Sequence, residues 1–302
     1  MATKTKPAKA AVIPFRTRDR LADEEELSVG LPAASLAAVT EAPPASLVDL
    51  TGRPKIWFAI GPGRSGKTML IRWAAEICIN RGAAPIVVAA DPQNRSLKNY
   101  LDVHEPPTND AAATARWLES LLRYAMGETA TDEKASALVD LGGGDTALHK
   151  LLSAVPTLGS DLVAAGVQPV AVYTLGPRVD DLAALASFEA LGFQPAATAI
   201  VLNEGLADAM VPREEAFARV MRHSAYRAAV ERGATTVWMP VLNPAELVQE
   251  IEGKRLSFIQ ARDAVSPNGR KVVPIAPFDR SRVRRWLEAM AHEMAPILSW
   301  LP

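Results

Sequence analysis

Apolar residues in this chain gather into short continuous runs, and between the runs they recur at helical spacing. KIWFAI (55–60), PIVVAA (85–90), SALVDL (136–141), VQPVAVYTL (167–175), ATAIVLN (197–203) and TTVWMP (235–240) have the length and β-branched content of strands buried on both faces. The stretches 67–81, 111–124, 146–165, 180–191 and 214–232 repeat apolar side chains three and four residues apart, as amphipathic helices do. Strand and helix alternate. That rhythm predicts an α/β fold, a doubly wound and mostly parallel sheet with helices on both faces and a binding crevice at the C-terminal strand ends. Beyond Pro240, residues 246–265 read as a helix interrupted at Gly253, and 281–301 as a final amphipathic helix.

The first fifty residues break this pattern. A basic start (MATKTKPAKA), an acidic ADEEEL and an Ala/Pro/Ser-rich LPAASLAAVTEAPPASL offer little apolar area per ordered residue. The expectation is a disordered or weakly ordered tail over 1–50 and one globular region over 51–302. With 33 basic and 34 acidic residues the net charge is −1, so any binding to nucleic acid must come from a local patch. Cys78 is the single cysteine, which excludes an intrachain disulfide and suits a reducing cytoplasm. The apolar runs are too short to span a bilayer, and no sustained apolar segment marks a secretory leader.

Chemistry enters with GPGRSGKT, residues 61–68. Gly61, Gly66, Lys67 and Thr68 match G-x-x-x-x-G-K-[ST], with an apolar strand before the loop and a helix after it. Glycines let backbone N–H groups turn around an anion, and the helix N-terminus adds positive potential. Lys67 is the candidate for bridging β- and γ-phosphates, and the Thr68 hydroxyl for ligating Mg²⁺. The rest of the loop, Pro62, Gly63, Arg64 and Ser65, lines the same cradle. Two further strand ends carry carboxylates: Asp91 in AADPQNRSL and Asp140 in VDLGGGDT. Asp140 closes its strand where a Mg²⁺ ligand would sit, held partly through water, and Gly143 belongs to a glycine run able to follow a γ-phosphate.

The order GPGRSGKT, AADPQNRSL, ALVDLGGGDT resembles the ParA/MinD group of P-loop ATPases, nearest its plasmid-partition and conjugal-transfer members. The likeness covers about residues 55–258. It implies Asp91 as the residue that orients or activates the attacking water and contributes to the Mg²⁺ site, and Asp140 as part of the γ-phosphate switch. It also implies Asn203 against the adenine, with Met239 and Pro240 in the loop covering the base from the other side. The activity that the resemblance implies is that of a slow Mg²⁺-dependent ATPase, which dimerises around nucleotide and works with DNA and a partition or transfer partner protein. The chain departs from the family loop, G-K-G-G-x-G-K-T, at two places: Pro62 replaces the lysine that reaches across the dimer, and Arg64 replaces a glycine. Arg64 is one candidate to supply the missing cation, since a guanidinium suits phosphate geometry.

Other readings stay open. Where guanine-specific loops carry N-K-x-D, this chain has Asn203-Glu204-Gly205-Leu206, which favours ATP. A small-molecule kinase would need cations in a lid, and Arg213, Arg219, Arg222, Arg227 and Arg232 lie on one stretch. A non-hydrolysing nucleotide-binding adaptor is consistent with Pro62. Arg282, Arg284 and Arg285 near the C-terminus are the candidate contacts for sequence-blind DNA binding. The four histidines have no ligand spacing, so no metal beyond nucleotide-bound Mg²⁺ is expected.

Overall fold

The computed structural model describes residues 48–91, 96–128, 133–142, 146–267 and 270–302. Its strands are β1 (Lys55–Ile60), β2 (Ile86–Ala89), β3 (Ala137–Asp140), β4 (Gln168–Leu175), β5 (Ala197–Asn203) and β6 (Thr235–Met239). They form one all-parallel sheet in the order β2-β3-β1-β4-β5-β6. All six runs expected from the sequence are strands, trimmed by a residue at some ends. Every residue of β1, β3 and β4 is buried, which is why these strands read as unbroken apolar runs rather than as alternating ones.

The pleat sends alternate side chains to two cores. Trp57, Ala59, Val170 and Val172 face one layer, packed by α1 (Lys67–Asn80) and three later helices. Ile56, Phe58, Ile60, Ala171 and Tyr173 face the other. That second layer contains α2 (Ala111–Ala125), α3 (Thr146–Ala154), α4 (Leu158–Ala164) and α5 (Ala183–Ala190). It also contains α6 (Arg213–Ala216), α7 (Ala218–Arg222) and α8 (Ser224–Glu231). The first layer is completed by α9 (Ala245–Gly253), α10 (Phe258–Asp263) and α11 (Pro277–Glu293). The core reaches back to Leu50, which is buried, and the Val48 carbonyl accepts from the Trp300 indole at 2.8 Å. The rest of the expected tail, 1–47, lies outside the described residues.

Three helices are shorter than their periodicity suggested. The stretch 146–165 divides into α3 and α4 around Pro156, whose ring and missing N–H stop a helix. The stretch 214–232 divides into α6, α7 and α8; His223 leaves helical backbone (ψ 143) and its ring nitrogen accepts from Ala225 N at 3.2 Å. The final helix begins at Pro277, where a fixed φ suits the first helical position, and gives way to a 3₁₀ segment over Ala295–Trp300 containing Pro296. Gly253 ends α9, and Ser257 starts α10 with a reciprocal cap involving Gln260.

This topology positions the site. From β1 the chain runs outward to β2, returns to β3 beside β1, then crosses to β4, β5 and β6 on the other side. The reversal about β1 opens a crevice beyond the carboxyl ends of β1, β2 and β3, where the three motif-bearing loops emerge.

Candidate phosphate-binding site

The loop between β1 and α1 depends on two glycines. Gly61 and Gly66 sit at φ 149 and 101. A Cβ at Gly61 would stand 2.4 Å from the Thr174 carbonyl oxygen, and one at Gly66 would stand 2.5 Å from Asn203 Nδ2 and 2.6 Å from Met239 Cε. Gly66 caps α1 without any side-chain hydrogen bond, so the positive end of a 14-residue helix opens onto the loop unneutralised.

Behind the loop, three polar contacts fix its shape. Ser65 Oγ and Thr174 Oγ1 share a hydrogen bond at 2.7 Å. Asn203 Nδ2 donates to the Ser65 carbonyl at 2.8 Å, while Asn203 Oδ1 accepts from Gly205 N at 2.9 Å. Asn203 and Met239 are therefore buried against the back of Gly66, and the Pro240 carbonyl accepts from the Trp286 indole at 2.9 Å. None of these three residues lines the cavity that opens in front of the loop.

In front of the loop stand the charged groups. Lys67 is 5% exposed, and its ammonium donates to the carbonyls of Gly61 at 2.8 Å and Pro62 at 2.9 Å. The Thr68 hydroxyl donates to Asp140 Oδ2 at 2.7 Å. Asp140 is 1% exposed, and its Oδ1 is buried with no hydrogen-bond partner. Burial pushes its carboxyl up to about 6; the Asp91 charge adds to this, while the Thr68 hydrogen bond and Lys67 oppose it. Asp91 is close by, since a Cβ on Gly142 would lie 3.4 Å from Asp91 Oδ1. An orphaned carboxylate oxygen beside a hydroxyl and a second carboxylate is a donor set that suits a hard divalent cation. Gly143 and residues 92–95, the part of AADPQNRSL that directly follows Asp91, lie outside the described residues.

Residues 63–68 of the loop, Asp91 and Gly142 line a cavity of about 880 Å³, while Gly61, Pro62 and Asp140 do not. Its far wall was not foreseen from the sequence. Arg72, one turn beyond Thr68, is 3% exposed and lies between the Tyr100 ring at 3.8 Å and the Phe258 ring at 4.0 Å. Its Nε donates to Glu76 at 3.1 Å and its Nη2 to the Leu256 carbonyl. Glu76 in turn accepts from the N–H groups of Phe258 at 2.7 Å and Ile259 at 3.4 Å, at the start of α10. Burial raises the Glu76 carboxyl, against the pull of Arg72 and these two amides. The available signal was a charged pair four residues apart inside an otherwise apolar helix, IRWAAEI. Thr174 was missed too; its signal was a hydroxyl near the end of an apolar strand next to β1.

The remaining candidates lie elsewhere. Arg282, Arg284 and Arg285 are exposed on α11, none of whose residues lines the cavity, and Arg282 pairs with Asp279. The five arginines considered for a lid are also off the cavity wall. Arg213 is bound to Glu204 at 2.8 Å and Glu293 at 2.9 Å, over the Trp238 ring, and Arg232 pairs with Glu189. Among the described residues no group of three or more His, Cys, Asp or Glu could hold a metal unaided, and no helix is long and apolar enough to cross a membrane. Comparison with protein-family models and with curated proteins finds no match to this chain, so the ParA/MinD resemblance rests on its loop and strand-end motifs.

Proposed function

We propose that this chain binds ATP with Mg²⁺ on the 61–68 loop and hydrolyses it slowly, as a ParA-like switch in plasmid partition or conjugative DNA transfer. The observation that carries this reading is a glycine-shaped loop at a helix N-terminus without a side-chain cap, whose Lys67 and Thr68 line one cavity while the Thr68 hydroxyl is held by the buried Asp140 at the end of β3. Thr68 and Asp140 are the residues that would hold Mg²⁺, which when bound neutralises charge developing on the phosphates. Lys67 gives two of its three ammonium donors to the Gly61 and Pro62 carbonyls, and the third is available to bridge the loop to a phosphate. Asp91, across from Gly142, orients the attacking water and accepts its proton.

Asn203 serves this scheme by holding the Ser65 carbonyl, and hence the loop, in its anion-ready shape; any contact it makes with the base is additional. The kinase reading is the weaker one, because its lid arginines are off the cavity and two of them are engaged in ion pairs. A homodimer, DNA bound through Arg282, Arg284 and Arg285, and a partition or transfer partner protein complete the proposal. The test is phosphate release from ATP with and without DNA. The switch predicts slow turnover without an acceptor, abolished by Asp91→Ala. Turnover that persists in Asp91→Ala contradicts the assignment of the water-orienting residue. Binding of ATP with no turnover under any condition favours the adaptor.

A further inference from the structure

The loop contains a second anomaly, at Arg64. The N–H of Ser65 donates to the Pro62 carbonyl at 3.3 Å, closing a turn in which Gly63 and Arg64 are the central residues. Arg64, the third residue of that turn, sits at φ 64. Glycine or asparagine normally fills such a position, because a β-carbon there crowds the following carbonyl. Gly63, which would tolerate any conformation, stands beside it at ordinary φ, so the chain places its bulkier residue on the strained site. Stability does not explain the choice.

Position does. Arg64 is exposed and lies on the cavity wall between Gly63 and Ser65. Among the described residues nothing engages its guanidinium, whereas Lys67 is turned back onto two loop carbonyls and Arg72 is locked between rings and Glu76. Among the described residues, Arg64 is thus the cation on this wall that is uncommitted and already presented to the space above the phosphate cradle.

We propose that Arg64 is a ligand-binding residue whose left-handed backbone presents its guanidinium to the outermost phosphate of a nucleotide held in the same chain. This rests on the nucleotide reading above and assigns to Arg64 the discrimination of tri- from diphosphate. A planar guanidinium offers two parallel N–H donors to one phosphate, a bidentate geometry that a compact ammonium lacks.

The experiment compares wild type, Arg64→Gly and Arg64→Lys by calorimetric titration with MgADP and with a Mg-bound non-hydrolysable ATP analogue, at chain concentrations where light scattering reports a monomer. Thermal unfolding is followed in parallel. Arg64→Gly should bind the triphosphate analogue about tenfold more weakly, as loss of one charge-assisted contact implies, with MgADP affinity unchanged. Its melting temperature should stay level or rise by about 2–3 °C as the strain is relieved. Arg64→Lys should recover only part of the discrimination and none of the stability. An unchanged triphosphate-to-diphosphate ratio in a folded Arg64→Gly variant overturns the proposal while leaving nucleotide binding intact. So does a loss seen only at concentrations where the chain is dimeric, which would place the contact across two chains. No binding of either nucleotide by wild type overturns both this proposal and the reading beneath it.

Discussion

At Asp140 the fold holds a carboxylate in a place that stability alone would not select. Burial raises its pKa from an ordinary 3.8 to about 6, and one oxygen has no hydrogen-bond partner. A carboxyl whose folded pKa is raised stabilises the fold in its protonated form. That contribution is complete below about pH 4 and is lost as pH climbs through 6. At about 1.4 kcal/mol per pH unit, the rise amounts to about 3 kcal/mol at neutral pH. Asp140→Asn, which cannot ionise, should therefore unfold at a higher temperature than wild type at pH 8 in nucleotide- and metal-free buffer. The gap should shrink steadily between pH 6 and pH 4. A gap that is independent of pH, or of opposite sign, would show that Asp140 is not strained by burial. Among single residues the sequence was most informative about the loop itself, since the spacing from Gly61 to Thr68 leaves little choice of conformation. Thr174 and Asn203 were harder to place, because their contacts with Ser65 depend on the register of β4 and β5 relative to the loop, which no local pattern encodes.

Asn203 links two elements through one amide, bridging the Ser65 carbonyl before α1 and the Gly205 N–H after β5. Asn203→Ala removes both bonds from a buried site and should cost about 1–3 kcal/mol in urea unfolding. It should also weaken triphosphate binding, because the loop loses its support. Full affinity in that variant would contradict the supporting role. The second link runs from α1 to α10 through Arg72 and Glu76. Removing one partner of a buried pair strands the other charge, so Arg72→Ala should lower stability by about 3–5 kcal/mol. The double change Arg72→Met with Glu76→Gln should recover much of that loss. If the double variant is as unstable as Arg72→Met and Glu76→Gln summed, the pair is not coupled. Helix existence was legible in the 3.6-residue repeat, but helix continuity was not. Pro156 and the turn at His223 cut segments whose apolar period runs on past them, because each short helix still packs on the same face of the sheet.

For the whole molecule, strand alternation with helices was enough to anticipate a parallel sheet covered on both faces, since only a doubly covered sheet accommodates strands such as β1 and β4 that are apolar at nearly every position. The extension of the cavity to Tyr100, Val248 and Phe258 was not legible, because it joins residues from distant parts of the chain. Arg282, Arg284 and Arg285, exposed on α11, are the residues on which the proposal of DNA binding is tested. If DNA is bound there, replacing all three by Glu should reduce the dependence of log affinity on log salt by about three. Identical salt slopes in wild type and variant would remove this face from consideration. Every function proposed for the chain depends on nucleotide held by the 61–68 loop, and calorimetric titration with a Mg-bound, non-hydrolysable ATP analogue decides whether it is held. One analogue per chain should bind saturably to wild type, and a folded Lys67→Ala variant should not bind it. An absence of binding by wild type, or equal binding by Lys67→Ala, would contradict the nucleotide site.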